Sequence, residues 1–592
     1  GLSAGMGAAL VMPVIIRAES EVAPLLERLE THWLSNPDPL IRMALLTDLS
    51  DADAEQTPED VPIEAALVAG MRGLNARYPD HAPFVLLHRA RRWNPVDRLW
   101  MGWERKRGKL EEFAGFILGH FPDAFALREG DVDALHGVRF VVTLDADTTA
   151  PPGAANRLIG TLAHPLNRVA FDPATGKPLF GYTFVQPRVE ISPDAGARSF
   201  FTRLYTGDTA IDIYSQAASD IYQDLFGEGI FTGKGAFDVE AYHGCICSSV
   251  PENALLSHDL FEGLHGRAAL ATDIVFYEEF PPNYLSYARR AHRWIRGDWQ
   301  LLPWLFGSVP ERRGGQHPSR LSVLDRWKIF DNLRRSLISP ALVIFAAAGW
   351  LMLPGQAVIW TALTIAAPGA YLFTELVTNL ARGRRRNTAR ATLRRLADHA
   401  GRWLLAIVFM AHEAVHATDA IARTLWRVYV SRRRMLEWTS AAHSAAQSSQ
   451  ARSAIWSEMI SAPVLAAALA LILALLDPVG LPGAAPLLLL WIASPEIARL
   501  ISWPRRTVAE KLNDADRLYL RKVARRTWLF FETFAGPDDN WLPPDNYQTS
   551  PHEEIAHRSS PTNVGMLCLS SLTAWDLGHI GLREFATRMT FA

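Results

Sequence analysis

Short apolar runs alternate with amphipathic stretches over the first third of the chain. The apolar runs cover residues 11–16, 43–46, 84–87 and 140–142. Between them, residues 21–33 repeat apolar positions with the period of a helix. Strand-like runs that alternate with helical ones are typical of an α/β sheet with helices on its faces. The pattern predicts an α/β domain, which we place at residues 1–330.

Longer apolar segments then predict an α-helical transmembrane region at residues 331–505. Four segments approach the length that crosses a hydrocarbon core of ~30 Å: residues 336–354, 356–380, 459–476 and 481–500. Basic clusters lie at 382–386, 432–434 and 505–506, and basic loops stay cytoplasmic. Residues 403–430 are polar in part and lie between two of these clusters. We therefore predict an interfacial amphipathic helix there, with the first domain on the cytoplasmic side.

The remaining residues, 506–592, are polar again and predict the start of a third, all-α domain. Residues 518–534 have a helical apolar pattern, and a turn-rich loop follows at 536–545. The chain begins without Met and ends inside a patterned segment, so we expect a piece of a longer polypeptide.

Composition narrows the class of protein. The 592 residues carry a formal net charge of -2, which argues against a nucleic-acid partner. Three cysteines are too few for a disulfide framework and fit a reducing compartment. The oligomeric state is left open.

An Asp-Ala-Asp motif after the strand at 140–144 predicts a metal site. Asp145 and Asp147 emerge at the carboxyl end of this strand, where open α/β sheets bind their ligands. Residues at i and i+2 lie on one side of a strand. Carboxylate oxygens suit Mg²⁺ or Mn²⁺, with water and a diphosphate as the other ligands. The motif indicates a metal-dependent sugar-nucleotide transferase.

Two later motifs offer the other groups that such a reaction needs. Asp259, in a Ser-His-Asp motif, is the candidate base for the acceptor hydroxyl, with Glu262 in reserve. Arg290 and Arg293 offer planar donors to the phosphates or the acceptor. Trp294 offers an apolar face on which a sugar ring can stack. A base opposite the departing diphosphate predicts inversion at the anomeric carbon.

Asp48 and Asp51 follow the second predicted strand and lie at the same sheet edge. They either hold a nucleotide base or begin a turn, in which Asp is common. The sequence leaves both interpretations open.

Longer matches extend over nearly the whole chain. They include Trp100-Met-Gly-Trp-Glu-Arg-Lys-Arg-Gly-Lys109, Thr143-Leu-Asp-Ala-Asp-Thr148, Thr232-Gly-Lys-Gly235, Ser257-His-Asp-Leu-Phe-Glu-Gly263 and His292-Arg-Trp-Ile-Arg-Gly-Asp-Trp-Gln-Leu-Leu302. In these segments the chain resembles the membrane-bound cyclic β-1,2-glucan synthases. Their synthase domain is an inverting, processive glycosyltransferase with a nucleotide-sugar-binding α/β fold.

The resemblance implies UDP-glucose as donor, a growing β-1,2-glucan as acceptor, a divalent cation (Mg²⁺ or Mn²⁺) and a bacterial inner membrane. It assigns Asp145 and Asp147 to the metal and Asp259, Arg290, Arg293 and Trp294 to catalysis. It also implies UDP contacts by Asp48, Glu104, Arg105, Lys109 and Asp145.

Three further expectations come from the same resemblance. Synthesis is primed on a protein tyrosine, for which Tyr205, Tyr214 and Tyr222 remain alternatives. Residues from 525 onward resemble the start of a glucoamylase-like domain. A phosphorylase-like domain, which full synthases carry, is absent, so ring closure is not assigned to this chain.

Two other functions compete with this interpretation. His412, Glu413 and His416 form the His-Glu-x-x-His pattern of zinc metalloproteases, in which the glutamate is the base. The simpler interpretation is a polar face on an interfacial helix. An inactive glycan-binding membrane scaffold is the second alternative, and the motif carboxylates argue against it.

Overall fold

The structure is a computed structural model that describes residues 2–3, 5–173, 176–206, 215–216, 219–247, 249–310, 316–319, 321–370, 389–437, 451–504 and 512–592. The chain divides into two compact units, Gly1–Arg505 and Arg506–Ala592. The predicted boundary at 330/331 falls inside the first unit. Tyr214, residues 371–380 of the second predicted span and the basic clusters at 382–386 and 505–506 lie outside the described residues.

A nine-stranded sheet forms the centre of the first unit. Its strands are β1 Ala8–Ile16, β2 Ile41–Leu49, β3 Phe84–His88, β4 Leu127–Glu129, β5 Phe140–Thr143, β6 Thr148–Thr149, β7 Phe184–Ile191, β8 Gly235–Asp238 and β9 Ala268–Glu278. They lie in the order β4-β3-β2-β1-β5-β8-β7-β9-β6. The pairs β1–β2, β2–β3, β1–β5 and β7–β9 are parallel, whereas β8 is antiparallel to both of its neighbours.

Helices pack on both faces of this sheet and on one another. They are α1 Val22–Ser35, α2 Asp60–Ala76, α3 Arg105–Ile117, α4 Ala154–Ala163, α5 Pro193–Ala197, α6 Phe200–Thr206, α7 Ile221–Phe226, α8 Val239–Ile246, α9 Asp259–Gly266, α10 Tyr284–Gln300 and α11 Val323–Ser336. Strand β1 is buried along nearly its whole length, as expected for a central strand covered on two sides. Alternate residues face two separate cores: Val11 packs with Phe113 of α3, whereas Leu10 packs with Leu29 of α1. The predicted α/β sheet is present.

Short elements complete this part of the chain. Four hairpins pair Arg92–Asn94 with Leu99–Met101, Ala170–Phe171 with Pro178–Phe180, Ser215–Gln216 with Ser219–Asp220, and Ser308–Pro310 with Gln316–Pro318. Single 3₁₀ turns lie at Glu19–Glu21, Asp133–Gly137, Pro165–Asn167 and Leu302–Leu305.

The helical region packs around a core of its own. Its helices are α12 Ile338–Leu351, α13 Ala357–Ala366, α14 Ala389–Trp426, α15 Arg452–Met459, α16 Ser461–Leu476 and α17 Leu481–Ile501. A 3₁₀ turn at Ala367–Gly369 follows α13, and a π turn at Arg427–Ser431 extends α14. The core joins Trp350 of α12, Met410 of α14, Leu469 of α16 and Trp491 of α17.

Helix lengths differ from the four predicted spans. Among the described residues, Leu396–Ser431 and Leu481–Ile501 are long and apolar enough to cross a membrane. Helices α15 and α16 form a third candidate if their pair, bent by 55°, is one span. Pro463 in the first turn of α16 cannot continue the hydrogen-bond ladder of α15, which accounts for a break at this position. Helix α12 has only 14 residues, because a turn interrupts the apolar run that predicted a span at 336–354.

Residues 403–430, predicted to be an interfacial helix, belong to the much longer α14. One side of α14 packs in the helical core through Ile407 and Ala411. Another side packs on the α/β domain through Leu405 and Phe409, which belong to the core around Tyr284 of α10. Length and composition make this segment a candidate span, while its contacts place it against the α/β domain. The interfacial assignment stays a prediction.

The second unit contains three helices and one small hairpin. They are α18 Asp514–Phe534, α19 Pro561–Asp576 and α20 Leu582–Phe591, with Tyr547–Gln548 paired to Glu554–Ile555 and a 3₁₀ turn at Pro537–Asp539. Trp528 and Phe531 of α18 pack with Leu567 and Ala574 of α19. This helical content agrees with the all-α start that the sequence predicted.

Candidate active site

The sheet topology brings three carboxylates to one edge. Asp145 and Asp147 follow β5, and Glu278 is the last residue of β9. Because β9 is parallel to β7, and both β7 and β5 are antiparallel to β8, β5 and β9 end at the same edge. Oxygens of the three side chains lie within 4.8 Å of one another. Asp145 and Asp147 therefore meet as predicted, and Glu278 joins them.

Two lysines hold the carboxylate group together. Lys106 Nζ of α3 donates to Asp145 Oδ1 over 2.5 Å and to the Gly233 carbonyl over 2.8 Å. Lys234 Nζ lies 3.3 Å from Asp145 Oδ2 and forms an ion pair with Glu278. Burial alone would raise the pKa of Asp145, but the two ammonium groups outweigh it and hold that pKa well below its usual range.

Asp147 carries the unbalanced negative charge. Burial, followed by the charges of Glu278 and Asp145, raises the pKa of Asp147 to about 6. A carboxylate crowded by two others is the environment that a divalent cation relieves, and all three offer hard oxygen ligands. The residues present fit Mg²⁺ or Mn²⁺, held by Asp145, Asp147 and Glu278. Glu278 was not predicted, although an acidic residue that ends a long strand was a usable signal.

The candidate base lies beside this group. Asp259 begins α9, and its side chain is 31% exposed, whereas that of Glu262 is 1% exposed. A β-carbon added at Gly233 would lie 2.3 Å from Asp259 Oδ1, so the carboxylate packs directly on the loop that carries Lys234. Asp259 can thus be reached by an acceptor. Glu262, the reserve candidate, is enclosed.

Helix α10 carries the Arg-Arg-Ala-His-Arg-Trp motif over the same edge. The guanidinium of Arg290 lies 4.6 Å from the ring centre of Trp294 and 5.2 Å from that of Phe280. Burial lowers the pKa of Arg290, and the charges of Glu278 and Asp147 oppose the change. Burial also lowers the pKa of Arg293, against the charges of Asp145 and Asp147. Trp294 is 41% exposed and so keeps a face for a ligand.

A close approach at Gly297 fixes α10 against the Ser-His-Asp motif. A β-carbon at this position would come within 2.4 Å of Ser257 Cβ. Gly297→Ala is therefore expected to displace α10 from Asp259 and lower kcat by about 10²-fold, because misplacement by ~1 Å is enough for such a loss. Steady-state kinetics checks this. Gly160→Ala in α4, where a β-carbon meets nothing within 4 Å, is the control and should leave kcat unchanged. Equal kinetics for both variants would contradict the prediction.

Asp48 and Lys109, which are predicted UDP contacts, have protein partners in the structure. Asp48 accepts two hydrogen bonds of 2.7 Å from Arg89 and lies 3.0 Å from Lys109 Nζ. Arg89 also donates to Glu112 Oε2 over 2.6 Å. All four side chains are almost completely buried. In this structure the four side chains form a buried ion-pair network. A direct UDP contact stays a prediction.

Glu104 and Arg105 precede and begin α3. Glu104 is buried and forms an ion pair of 2.6 Å with Arg107. Arg105 Nη2 donates to Asp51 Oδ2 over 2.6 Å, and its Nε donates to the Leu436 carbonyl over 3.2 Å. Asp51 thus has an arginine partner. The proposed UDP contacts of this segment are not tested by these distances.

The His-Glu-x-x-His segment does not form a ligand set. His412 Nδ1 lies 2.9 Å from the Tyr284 hydroxyl of α10. The His416 ring stacks on that of His412 and meets His292 of α10 edge to face, with 4.9 Å between the ring centres of His416 and His292. Glu413 instead accepts a hydrogen bond from Ser339 of α12 over 3.1 Å. The histidines and the glutamate therefore pack against different helices. In the described part of the chain, they are absent from the carboxylate and histidine groups that could hold an ion.

Comparison with known proteins defines the class. Residues 140–376 match the family described as glycosyl transferase family group 2. The match includes β5, the three carboxylates, Asp259 and α10. Residues 140–376 are therefore similar to glycosyltransferases of this group, which confirms the predicted α/β fold class and the predicted glycosyltransferase class.

The particular relative is a glucan synthase. The chain is 40% identical over 590 residues to the cyclic beta-(1,2)-glucan synthase NdvB of Rhizobium meliloti (strain 1021). The alignment covers 98% of this chain and 20% of NdvB, so the chain spans about a fifth of the length of this relative. This similarity confirms the resemblance drawn from the motifs.

Proposed function

We propose that this chain transfers glucose, with inversion, from UDP-glucose to a growing β-1,2-glucan at the cytoplasmic face of the bacterial inner membrane. The observation that carries the proposal is the convergence of the Asp145, Asp147 and Glu278 carboxylates with Asp259 at one sheet edge, under α10. The linkage follows from similarity to a segment of NdvB. UDP-glucose is the donor that the resemblance implies.

In the proposed reaction, an acceptor hydroxyl attacks the anomeric carbon of the donor. The new carbon–oxygen bond forms as the bond to the diphosphate breaks, and UDP leaves with its electron pair. Asp259 accepts the hydroxyl proton, a role that requires an exposed carboxylate near the acceptor. One displacement from the face opposite the diphosphate inverts the anomeric centre.

The remaining groups stabilise charge and position the sugars. Arg290 and Arg293 lie in the field of the carboxylate group and offer planar donors to the diphosphate. Lys106 and Lys234 keep Asp145 ionised. The exposed face of Trp294 offers a surface on which an acceptor ring can stack. A divalent cation held by Asp145, Asp147 and Glu278 supplies Lewis-acid stabilisation of the departing diphosphate when it is bound.

The bilayer is the second proposed partner. Two described helices, or three with the bent pair, are long and apolar enough to span it. Helix α14 contacts both the helical core and the core beneath α10. This arrangement supports an acceptor site close to the membrane surface, with the sugar-nucleotide site on the side where nucleotide sugars are made.

The function is tested by incubating membranes that contain the chain with labelled UDP-glucose and Mn²⁺ and measuring the label in polymer. We expect label in a polymer whose linkage analysis gives β-1,2 bonds. Asp259→Asn keeps the size of the side chain and should lower incorporation by about 10²-fold, the typical contribution of a general base. Incorporation from UDP-galactose instead of UDP-glucose would contradict the donor, and another linkage would contradict the product.

A further inference from the structure

A second group of ionisable residues lies behind Asp259 and is not used by the mechanism above. His258 is the N-cap of α9, and its side chain is 5% exposed. Its Nδ1 lies 2.9 Å from Glu262 Oε1, one turn along α9, and 3.6 Å from Asp259 Oδ1. The imidazole is therefore placed between an enclosed carboxylate and the candidate base.

Glu262 is fixed in its turn. Its Oε1 accepts a hydrogen bond of 3.1 Å from the Tyr242 hydroxyl of α8, and Tyr242 is completely buried. A series of contacts thus runs from Tyr242 through Glu262 and His258 to Asp259. Since Glu262 and Tyr242 are both enclosed, neither can touch a substrate.

The charge of His258 determines how it acts on Asp259. Burial opposes protonation of His258, but Glu262 and then Asp259 outweigh it and raise the pKa of His258. Oδ1 of Asp259 is buried and accepts no hydrogen bond from the described residues. A cationic imidazole 3.6 Å away is the group that compensates this oxygen.

We propose that His258 is a positioning residue: held by Glu262, its imidazolium orients the Asp259 carboxylate toward the acceptor. This inference rests on the proposed function, because it assigns the surroundings of the base in that reaction. Lys106 of α3 also faces Asp259 and His258. Arg107 and Glu111 of α3 and Cys247 face Tyr242. Lys106 already donates to Asp145 and the Gly233 carbonyl, so the imidazole is the cation whose nearest partners are Glu262 and Asp259.

The test is the split between kcat and KM for UDP-glucose transfer by the full chain. His258→Gln removes the group that holds Asp259, so kcat falls by about tenfold, whereas KM for UDP-glucose is unchanged. Glu262→Gln keeps the shape of the side chain but no longer holds the imidazolium, and should lower kcat in the same way.

Two comparisons separate positioning from a general loss of structure. The double variant His258→Gln/Glu262→Gln should lower kcat no further than His258→Gln alone, because both act through one imidazole. His265→Gln is the matched control on the same helix, since His265 Nδ1 lies 2.9 Å from the Phe261 carbonyl and the ring stacks on Phe261. It should leave kcat unchanged. Glu262→Gln also provides the answer if His258→Gln does not fold.

An unchanged kcat in folded His258→Gln or Glu262→Gln overturns the proposal, as does an additive loss of kcat in the double variant. So does stoichiometric loss of a bound metal ion from His258→Gln alone, since His258, Asp259 and Glu262 would then be ligands. These results differ from failure of the proposed function. That failure shows as a wild-type chain without glucan synthesis, or as Asp259→Asn with full activity.

Discussion

Asp147→Ala is expected to lower kcat for glucose transfer by about 10³-fold while the protein stays folded. The carboxylate is one of three whose oxygens lie within 4.8 Å of one another, and among the described residues it has no lysine partner as close as those of Asp145. Loss of Lewis-acid stabilisation costs several kcal/mol of barrier, and each 1.4 kcal/mol is about tenfold in rate. Removing Asp147 also removes repulsion from Glu278 and Asp145, so stability should not fall.

Metal binding gives a readout that does not depend on activity. Free Mn²⁺ measured by electron paramagnetic resonance should show weaker binding to Asp147→Ala than to wild type. Mutation of a residue that only hydrogen-bonds a metal ligand lowers metal affinity by about 10–100-fold. Loss of a ligand itself should therefore lower the affinity at least as much. Glu278→Gln, which replaces the residue that the sequence did not predict, should behave like Asp147→Ala.

The chain contains a matched control for this experiment. Asp51-Ala-Asp53 is another Asp-x-Asp sequence, and Asp53 is exposed. Asp53→Ala should bind Mn²⁺ and transfer glucose as wild type does. Unchanged Mn²⁺ affinity in both Asp147→Ala and Glu278→Gln would contradict the metal assignment, even if kcat falls.

Local patterns predicted the parts of the site that lie close together in sequence. A buried strand followed by Asp145 and Asp147 needs no tertiary information beyond the rule that ligands bind at the carboxyl ends of strands. Glu278 lies 131 residues after Asp147 in the sequence. Its place depends on the strand order β5-β8-β7-β9, which the sequence does not state. Lys234 was part of a quoted motif, but its role depends on the same order.

The membrane region was harder to predict for a different reason. Hydropathy measures composition along a window and does not show where a helix bends or which side of it is covered. The turn that ends α12 and the bend before α16 both fall inside apolar runs. Helix α14 has polar residues such as His412, which suggested an interface with lipid headgroups. In the structure His412 lies against Tyr284 of the catalytic part, so protein and not solvent faces this side chain.

For Asp48, the sequence predicted the position in the sheet but not the partners of the side chain. The sequence placed it at the ligand-binding edge, and it does lie near the end of β2. However, Arg89, at the end of β3, neutralises it through two hydrogen bonds, and Lys109 adds a second cation. Burial raises the pKa of Asp48, but these cations outweigh it and lower that pKa to about 2. Only the structure shows that both its oxygens are already occupied.

Arg89→Met is consequently expected to lower the free energy of unfolding by about 3–5 kcal/mol, the usual cost of removing one partner from a buried charge pair. The methionine fills similar volume but leaves Asp48 and Glu112 without their shared guanidinium, and both are almost completely buried. Lys109 remains beside Asp48, whereas Glu112 keeps Arg92, which is 53% exposed. Thermal unfolding of the chain in detergent, followed at neutral pH, measures the loss.

A variant of a surface arginine is the control for this measurement, because it removes an exposed ion pair and not a buried one. Arg72 donates to Glu129 over 2.9 Å, and its side chain is 68% exposed. Solvent screens such a pair, so Arg72→Met should barely change the unfolding midpoint. The double variant Asp48→Asn/Arg89→Met removes the buried charge along with its partner and should recover part of the stability. If Arg89→Met unfolds at the same temperature as Arg72→Met, the network is dispensable for folding. Asp48 would then be free to serve the donor, as the sequence first suggested.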